Sequence, residues 1–229
     1  MTIFTTARLM VACTLALAPV TAHAETPRDA LTIAGFADRD KATALARVDR
    51  VRQVTSAALS RSPNDQEAAM VGATADGYRA KLTGNRAAAI EARRKFEGLV
   101  AKYPGSAEAH IALGAWHVGV IASFGRFVGR AAVGAKKDVG FASIDRAVKL
   151  GGNRAMFLGL AALLRLELDP DDAQGRQLAE AATRATTPTQ LDRIMQRSAS
   201  AVLVPLRAGD AKAAQALADR LLPFGQIRK

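Results

Sequence analysis

The chain contains a single cysteine among its 229 residues. Cys13 lies in an N-terminal stretch that has one basic residue, an apolar run over residues 9–20 and a small-x-small ending. This pattern predicts a secretory signal peptide, residues 1–24, that is cleaved after Ala24 to give a periplasmic protein. Acylation of Cys13 is the alternative, but the apolar region before it is short. A mature chain that begins at Glu25 has no thiol, which excludes disulfides, cysteine-ligated metals and cysteine nucleophiles.

Acidic residues are in deficit, with 21 Asp and Glu against 32 Lys and Arg and a formal net charge of +11. Removal of residues 1–24 lowers this charge to +10, because they contain one Arg and no acid. The excess favours anionic partners, which in a bacterial-type envelope are lipid head groups, lipopolysaccharide or an acidic protein face. A basic surface that keeps the protein soluble is the alternative. Nucleic acid is not expected as a partner, because an exported chain seldom meets it.

Aromatic residues make up 5% of the chain, and β-branched residues do not alternate with polar ones over the length of a strand. Because alanine is abundant as well, we expect an all-α fold. The segment lengths fit one helical domain over residues 25–229, with residues 25–37 as a loose N-terminal segment. Turn and capping residues that divide the chain into helices recur at Ser62-Pro63-Asn64, Thr83-Gly84-Asn85, Pro104-Gly105-Ser106, Gly151-Gly152-Asn153, Asp169-Pro170-Asp171, Thr187-Pro188 and Gly209-Asp210.

Two segments share the plan of a turn, a small-residue helix and a closing proline. They are RAAAIEARRKFEGLVAKYP, which follows Gly84 and Asn85, and AGDAKAAQALADRLLP at 208–223. Both resemble the second helix of a tetratricopeptide repeat. Between them, Gly114 stands where the repeat has the small residue at which the two helices of a hairpin cross closely. The sequence therefore predicts a tetratricopeptide-like array of antiparallel helical hairpins, an α-α superhelix, rather than a generic bundle.

One repeat is too long. The spacing from Gly114 to Ala147 exceeds that of a standard repeat by about 14 residues, so an insertion, helix or loop, lies within residues 120–136. The order AHIALGAWH, a long connection, GFASIDRAVKLGGN and FLGLAALLRLELDPDDAQGRQLAEAAT resembles the tetratricopeptide-type domain of the regulator of microtubule dynamics family and its bacterial relatives. The resemblance covers roughly residues 85–205, and the LGxWH pattern is its most specific element. It implies an all-helical domain for protein contacts, with lipid binding proposed for some members, and no catalytic residue.

Residues 109–125 contain no Asp, Glu, Lys or Arg over 17 positions, the lower bound for a segment that crosses a bilayer. The stretch also contains two histidines, a tryptophan and three glycines, and the repeat register places it in a core helix. We therefore expect no membrane span in the mature chain.

Motifs for catalysis are also missing. Residues 129–134 begin like a phosphate-binding loop but lack the lysine and the hydroxyl residue that should follow. His110 and His117 are about 10 Å apart along one helix face, too far to share an ion, and are expected to be packed and hydrogen-bonded. The acidic residues over 167–172 lack the pattern of a calcium loop and are expected to cap the next helix. We expect no enzyme, no metal and no cofactor.

The candidate binding residues come from two places. In helical-repeat arrays the exposed inner positions of the first helices form the usual binding surface, and the insertion flanks that surface. Both phenylalanines of the insertion could instead belong to the core and both arginines could be solvated. The candidates are Glu108, Ile111, Ala115, Val118, Phe124, Arg126, Phe127 and Arg130.

Two functions of different class follow. The first is an exported, non-enzymatic scaffold that binds another envelope protein or peptide in its groove. The second is a periplasmic carrier or sensor of an anionic, lipid-like molecule. In that case apolar residues of the insertion hold the chain, and Arg126, Arg130, Lys136 or Lys137 holds the head group.

Overall fold

The computed structural model describes residues 25–124 and 126–227, without the side chains of Arg126, Phe127 and Arg130. The expected signal peptide therefore lies outside the described residues. The described residues form eleven helices and no β-strand, so the predicted all-α class is confirmed. The helices are α1 (Pro27–Phe36), α2 (Lys41–Arg61), α3 (Gln66–Thr83), α4 (Arg86–Lys102), α5 (Ala107–Phe124), α6 (Arg126–Val133), α7 (Lys137–Gly151), α8 (Ala155–Leu168), α9 (Ala173–Ala182), α10 (Gln190–Arg207) and α11 (Ala211–Leu221).

The predicted turn positions are confirmed, since each of them separates two helices. The physical cause is local. Helix starts need an acceptor for backbone N–H groups that have no partner within the helix. Asp65, Asn85 and Asp210 supply it from the first residue before α3, α4 and α11. Gly84 ends α3 in the left-handed conformation, with φ of 67°, which glycine adopts at little cost.

The N-terminal segment differs from the expectation. Residues 25–37 are not loose, because α1 occupies most of them and buries Ala30, Leu31 and Ala34. These side chains share a core cluster with residues of α2 and α3. The prediction was wrong because the apolar face of this short helix becomes visible only when its partners are placed against it.

Contacts between helices follow a regular order. Each of the pairs α1 with α2, α3 with α4, α8 with α9 and α10 with α11 is in contact and joined by a short turn, and α5 contacts α7 across the intervening α6. The first helices of these pairs touch in succession, from α1 through α3, α5 and α8 to α10. Helix α1 also contacts α10. The five pairs therefore form a continuous array of contacting helices, packed around three hydrophobic clusters.

The two ends of the described chain meet. The backbone N–H of Phe224 donates to the carbonyl of Gly35 at 2.7 Å. The Phe224 ring packs edge-on against Tyr78, with ring centroids 4.8 Å apart. Through these contacts the segment after α11 packs on the N-terminal helices.

The insertion is a helix rather than a loop. Helix α6 follows α5, and its C-terminal end is held by two arginines of α4. Nε of Arg86 donates to the carbonyl of Ala132 at 2.7 Å, and Nη1 of Arg93 donates to the carbonyl of Val133 at 3.0 Å. These bonds satisfy carbonyls that have no partner within the helix. No helix of the described ranges is both long enough and apolar enough to pass through a bilayer.

Gly114 lies where α5 crosses α7. A Cβ at this position would lie 2.6 Å from Cγ1 of Ile144 and 3.0 Å from the carbonyl oxygen of Gly140. The close approach that the sequence predicts at Gly114 is therefore present, and it joins α5 to α7 even though α6 separates them in the chain.

We expect Gly114→Ala to lower the free energy of unfolding by about 1–3 kcal/mol, because the added methyl group overpacks this crossing. The control is Gly119→Ala on the same helix, where a Cβ meets nothing within 4 Å. That substitution should raise the stability by about 0.5–1 kcal/mol. Chemical denaturation measures both. Equal stability of the two variants would contradict the crossing geometry.

Candidate functional site

Two of the expected inner-face positions are buried. The side chains of Ile111 and Val118 are 3% and 0% exposed and belong to a core cluster with residues of α7 and α8. Their assignment to an exposed binding face is wrong. Helix α5 packs against α4 on one side and against α7 and α8 on the other, so both of its apolar faces are covered.

The other two inner-face positions are half-buried. Ala115 packs against the core cluster that includes α8. The carboxylate of Glu108 accepts a hydrogen bond from Nη2 of Arg28 at 2.9 Å, and the same nitrogen lies 2.6 Å from the carboxylate of Glu67. Arg28 therefore ties α1 to α3 and α5. Glu108 is engaged in this link between first helices.

The end of α5 and the outer side of α6 form an exposed apolar surface. Phe124 is 60% exposed and Val128 is 57% exposed, and the small residues Ala122, Ser123 and Ala131, close to them in the chain, are exposed as well. We call these five residues the α5–α6 corner. Phe124 is not part of the core, contrary to the alternative considered for it. The candidate side chains of Arg126, Phe127 and Arg130 lie outside the described part of the structure.

Both histidines are hydrogen-bonded, as expected. Nε2 of His110 lies 3.1 Å from the carbonyl oxygen of Pro104. The buried His117 accepts a hydrogen bond at Nδ1 from the backbone N–H of Lys136 at 3.2 Å, which attaches the connection between α6 and α7 to α5. Burial, followed by the positive charge of Arg93, lowers the pKa of His117 from its usual 6.5 to about 4. This histidine is a neutral packing residue near pH 7.

The predicted capping of α9 is confirmed for Asp172 alone, since Glu167 lies within α8 and Asp169 directly follows the last residue of α8. Asp172 accepts a hydrogen bond from the backbone N–H of Gly175 at 2.6 Å, and Asp169 accepts one from the backbone N–H of Asp171 at 3.1 Å. A small cleft of about 270 Å³ beside them is lined by Asp171, Asp172 and Arg176. Within residues 25–124 and 126–227, no group of three or more His, Cys, Asp or Glu is placed to hold a metal ion.

Two buried charged side chains, Asp192 and Arg165, brace the second half of the chain through three ion pairs. Asp192 is 0% exposed, and its carboxylate accepts bonds from Nη2 of Arg154 at 2.8 Å and from the backbone N–H of Met156 at 2.9 Å. The buried Arg165 donates to Asp145 at 2.6 Å and to Asp172 at 3.1 Å. These charges join α8 to its neighbours and are engaged in structure.

Sequence reasoning missed a surface on α10. Its exposed face presents five residues at spacings of four, three, four and three, which place them on one side of a helix. The residues are Arg193, Arg197, Ser200, Val204 and Arg207, which we call the α10 arginine stripe. The capping box at Thr189 marks where α10 begins, so the stripe was visible as a periodicity counted from that turn.

Comparison with known proteins finds no counterpart: no family model matches the chain, and neither a curated protein nor a solved structure does. The resemblance to the regulator of microtubule dynamics family rests on the residues quoted for it.

Proposed function

We propose that the protein is an exported, non-enzymatic helical-repeat scaffold that binds another protein of the bacterial envelope. The order of helix contacts supports the tetratricopeptide-type arrangement, since each first helix touches its own second helix and the next first helix. The close crossing at Gly114 supports the repeat register, and with it the resemblance to the regulator of microtubule dynamics family.

The α5–α6 corner carries the proposal. Single exposed apolar side chains are common, but here two large ones, Phe124 at the end of α5 and Val128 in α6, are only four residues apart in the chain. When a partner fully buries an exposed aromatic ring, the removal of the ring from water stabilises the complex by roughly 1.5–3 kcal/mol. Arg86 and Arg93 bond the C-terminal end of α6 to α4, which holds in place the helix that carries Val128 and Ala131 of the corner.

The corner replaces the inner face as the contact surface in this proposal. Ile111 and Val118 belong to the core, and Glu108 is paired with Arg28. Neither the two apolar side chains nor the carboxylate is free to meet a peptide in a groove. At the corner, in contrast, Phe124 and Val128 are more than half exposed, so a partner can reach them directly.

Photo-crosslinking in the envelope of the producing cell tests the proposal. A photoreactive phenylalanine analogue at Phe124 should give an adduct with a polypeptide of one defined mass. The matched control has the analogue at Val54 of α2, which is 49% exposed, and should give none. Val128→Ser should reduce the adduct at position 124, because it removes the other large exposed apolar side chain of the corner. Absence of any adduct at 124, or equal adducts at 54 and 124, would overturn the proposed contact.

A carrier or sensor of an anionic amphiphile is the second candidate. It is favoured by the lack of any acidic residue between Ala109 and Lys137, the stretch that contains the exposed Phe124. An adduct of lipid mass at position 124 would favour this candidate over the scaffold.

Binding of the anionic head group and binding of the apolar chain of an amphiphile should depend on different residues. Reversal of Arg126 and Arg130 to Glu should weaken binding to acidic vesicles more than to neutral ones, and salt should narrow the difference because exposed charges are screened. Phe124→Ser with Phe127→Ser should weaken both kinds of binding with little dependence on salt. Vesicle flotation of variants with unchanged circular dichroism measures these effects. Unchanged flotation of both variants would remove the second candidate.

A further inference from the structure

We propose that the α10 arginine stripe is a second docking surface, and that it receives an acidic helix of a partner protein. The inference rests on the proposed scaffold role but uses a different helix from the α5–α6 corner. Its failure can therefore be observed separately from failure at the corner.

The stripe has the shape of a helix-binding face. From Arg193 to Arg207 it spans 14 residue steps, about 21 Å of helix axis at 1.5 Å per residue. The middle of the stripe consists of Ser200 and Val204, and Val204 is 67% exposed. Small side chains between arginines allow a second helix to approach the axis of α10 closely.

The stripe has no acidic residue of its own. The only acid of α10 is Asp192, which is fully buried and bonded to Arg154 and to the backbone N–H of Met156. Within the described residues, the side chains of Arg197 and Arg207 form no hydrogen bond or ion pair, whereas Nη1 of Arg193 lies 3.5 Å from the carbonyl oxygen of Thr187. Adjacent like charges at positions 193 and 197 weaken a helix. No acidic side chain of the stripe offsets this repulsion between Arg193 and Arg197, but a partner carboxylate beside them would.

A fourth arginine lies at the C-terminal end of the stripe. Nη2 of Arg176, on α9, donates to the carbonyl of Leu206 at 2.6 Å. Its guanidinium therefore lies next to the end at which Arg207 is exposed. Because Asp171 and Asp172 line the same cleft as Arg176, the attraction for partner carboxylates comes from the exposed Arg193, Arg197 and Arg207.

The chemistry of the stripe favours a protein partner over a membrane. Guanidinium groups bind carboxylates through two parallel hydrogen bonds, and glutamates three or four residues apart on a helix present carboxylates on one face. A helix that lies on a membrane needs a broad apolar face with Phe, Trp or Leu. The stripe offers one valine.

The test measures binding of the mature chain to a synthetic helical peptide that carries Glu every three or four residues on one face. Arg197→Glu with Arg207→Glu should weaken this binding by about tenfold or more, the factor that corresponds to about 1.4 kcal/mol. The matched control is Arg50→Glu with Arg61→Glu on α2. Both of these arginines are exposed, and Val54 lies between them, so net charge changes equally. We expect less than about a twofold effect for this pair, since the α10 arginine stripe is unchanged in it.

A charge exchange sharpens the test. The Arg197→Glu, Arg207→Glu variant should bind a peptide with Lys in place of Glu, and the wild type should not. Crosslinking at Phe124 should persist in this variant, which separates the two surfaces. Equal loss of Glu-peptide binding by both double variants would mean general charge attraction and overturn the proposal. Loss of binding to vesicles of phosphatidylglycerol and phosphatidylcholine, with the Glu peptide unaffected, would overturn it in favour of a membrane contact.

Discussion

Asp192→Ala should lower the free energy of unfolding by roughly 3 kcal/mol, because it removes the fully buried acceptor of several hydrogen bonds, deprives Arg154 of its ion pair and leaves a buried backbone N–H without an acceptor. The carboxylate of Asp192 accepts bonds from Arg154, from the N–H of Met156 and, at 2.7 Å, from the hydroxyl of Thr189. One side chain thereby joins the starts of α8 and α10. Burial alone would raise the pKa of Asp192, but these bonds outweigh it and hold the pKa below its usual value.

The matched control is Asp219→Ala, which removes the same charge from an exposed position on α11. Its effect should stay within about 0.5 kcal/mol. Urea denaturation followed by circular dichroism measures both variants at pH 7. If the two aspartates proved equally dispensable, the carboxylate of Asp192 would not brace α8 and α10.

The stability of the folded chain should fall by roughly 3 kcal/mol between pH 7 and pH 4 through His117 alone. Its pKa is about 4 in the folded state against 6.5 in an unfolded chain, so the unfolded chain binds more protons throughout this interval. The contribution is fully present above pH 6.5 and is lost as the pH falls toward 4. The cause is burial, with Arg93 and Lys136 adding positive charge and Asp138 opposing them in part.

His117→Asn isolates this contribution. The amide oxygen of Asn can accept the bond from the Lys136 N–H in place of Nδ1, and the amide does not titrate. We expect the difference in unfolding free energy between the wild type and His117→Asn to change by roughly 3 kcal/mol over the interval. Denaturation curves collected from pH 7 to pH 4 provide it. Parallel pH profiles for the two proteins would show that His117 is not buried as a neutral group.

Protonation of His117 at low pH should weaken one particular part of the fold. Protonated His117 cannot accept a hydrogen bond at Nδ1, so the bond from Lys136 between α6 and α7 would break. We therefore expect the connection after α6 to exchange its amide hydrogens earlier than α8 does when the pH falls toward 4.

The candidate site was predictable in part. Phe124 was named from the sequence because aromatic residues next to a glycine-rich helix end are a visible pattern. In the structure it is exposed on the α5–α6 corner. Ile111 and Val118 were assigned to a binding face and are core residues. The periodicity of α5 could not distinguish an exposed apolar face from a second buried one, since apolar residues surround this helix on both sides.

The sequence by itself determined the helical class, the turns between helices and the small residue at the α5–α7 crossing. These features depend on local chemistry: an aspartate or asparagine at a helix start, or a glycine such as Gly84 with positive φ. The tertiary structure alone decided that α1 packs into the core, that α5 meets α7 across α6, and that Phe224 reaches Tyr78 and Gly35. Such contacts join residues far apart in the chain, and the burial and charge of each partner depend on which helix covers it.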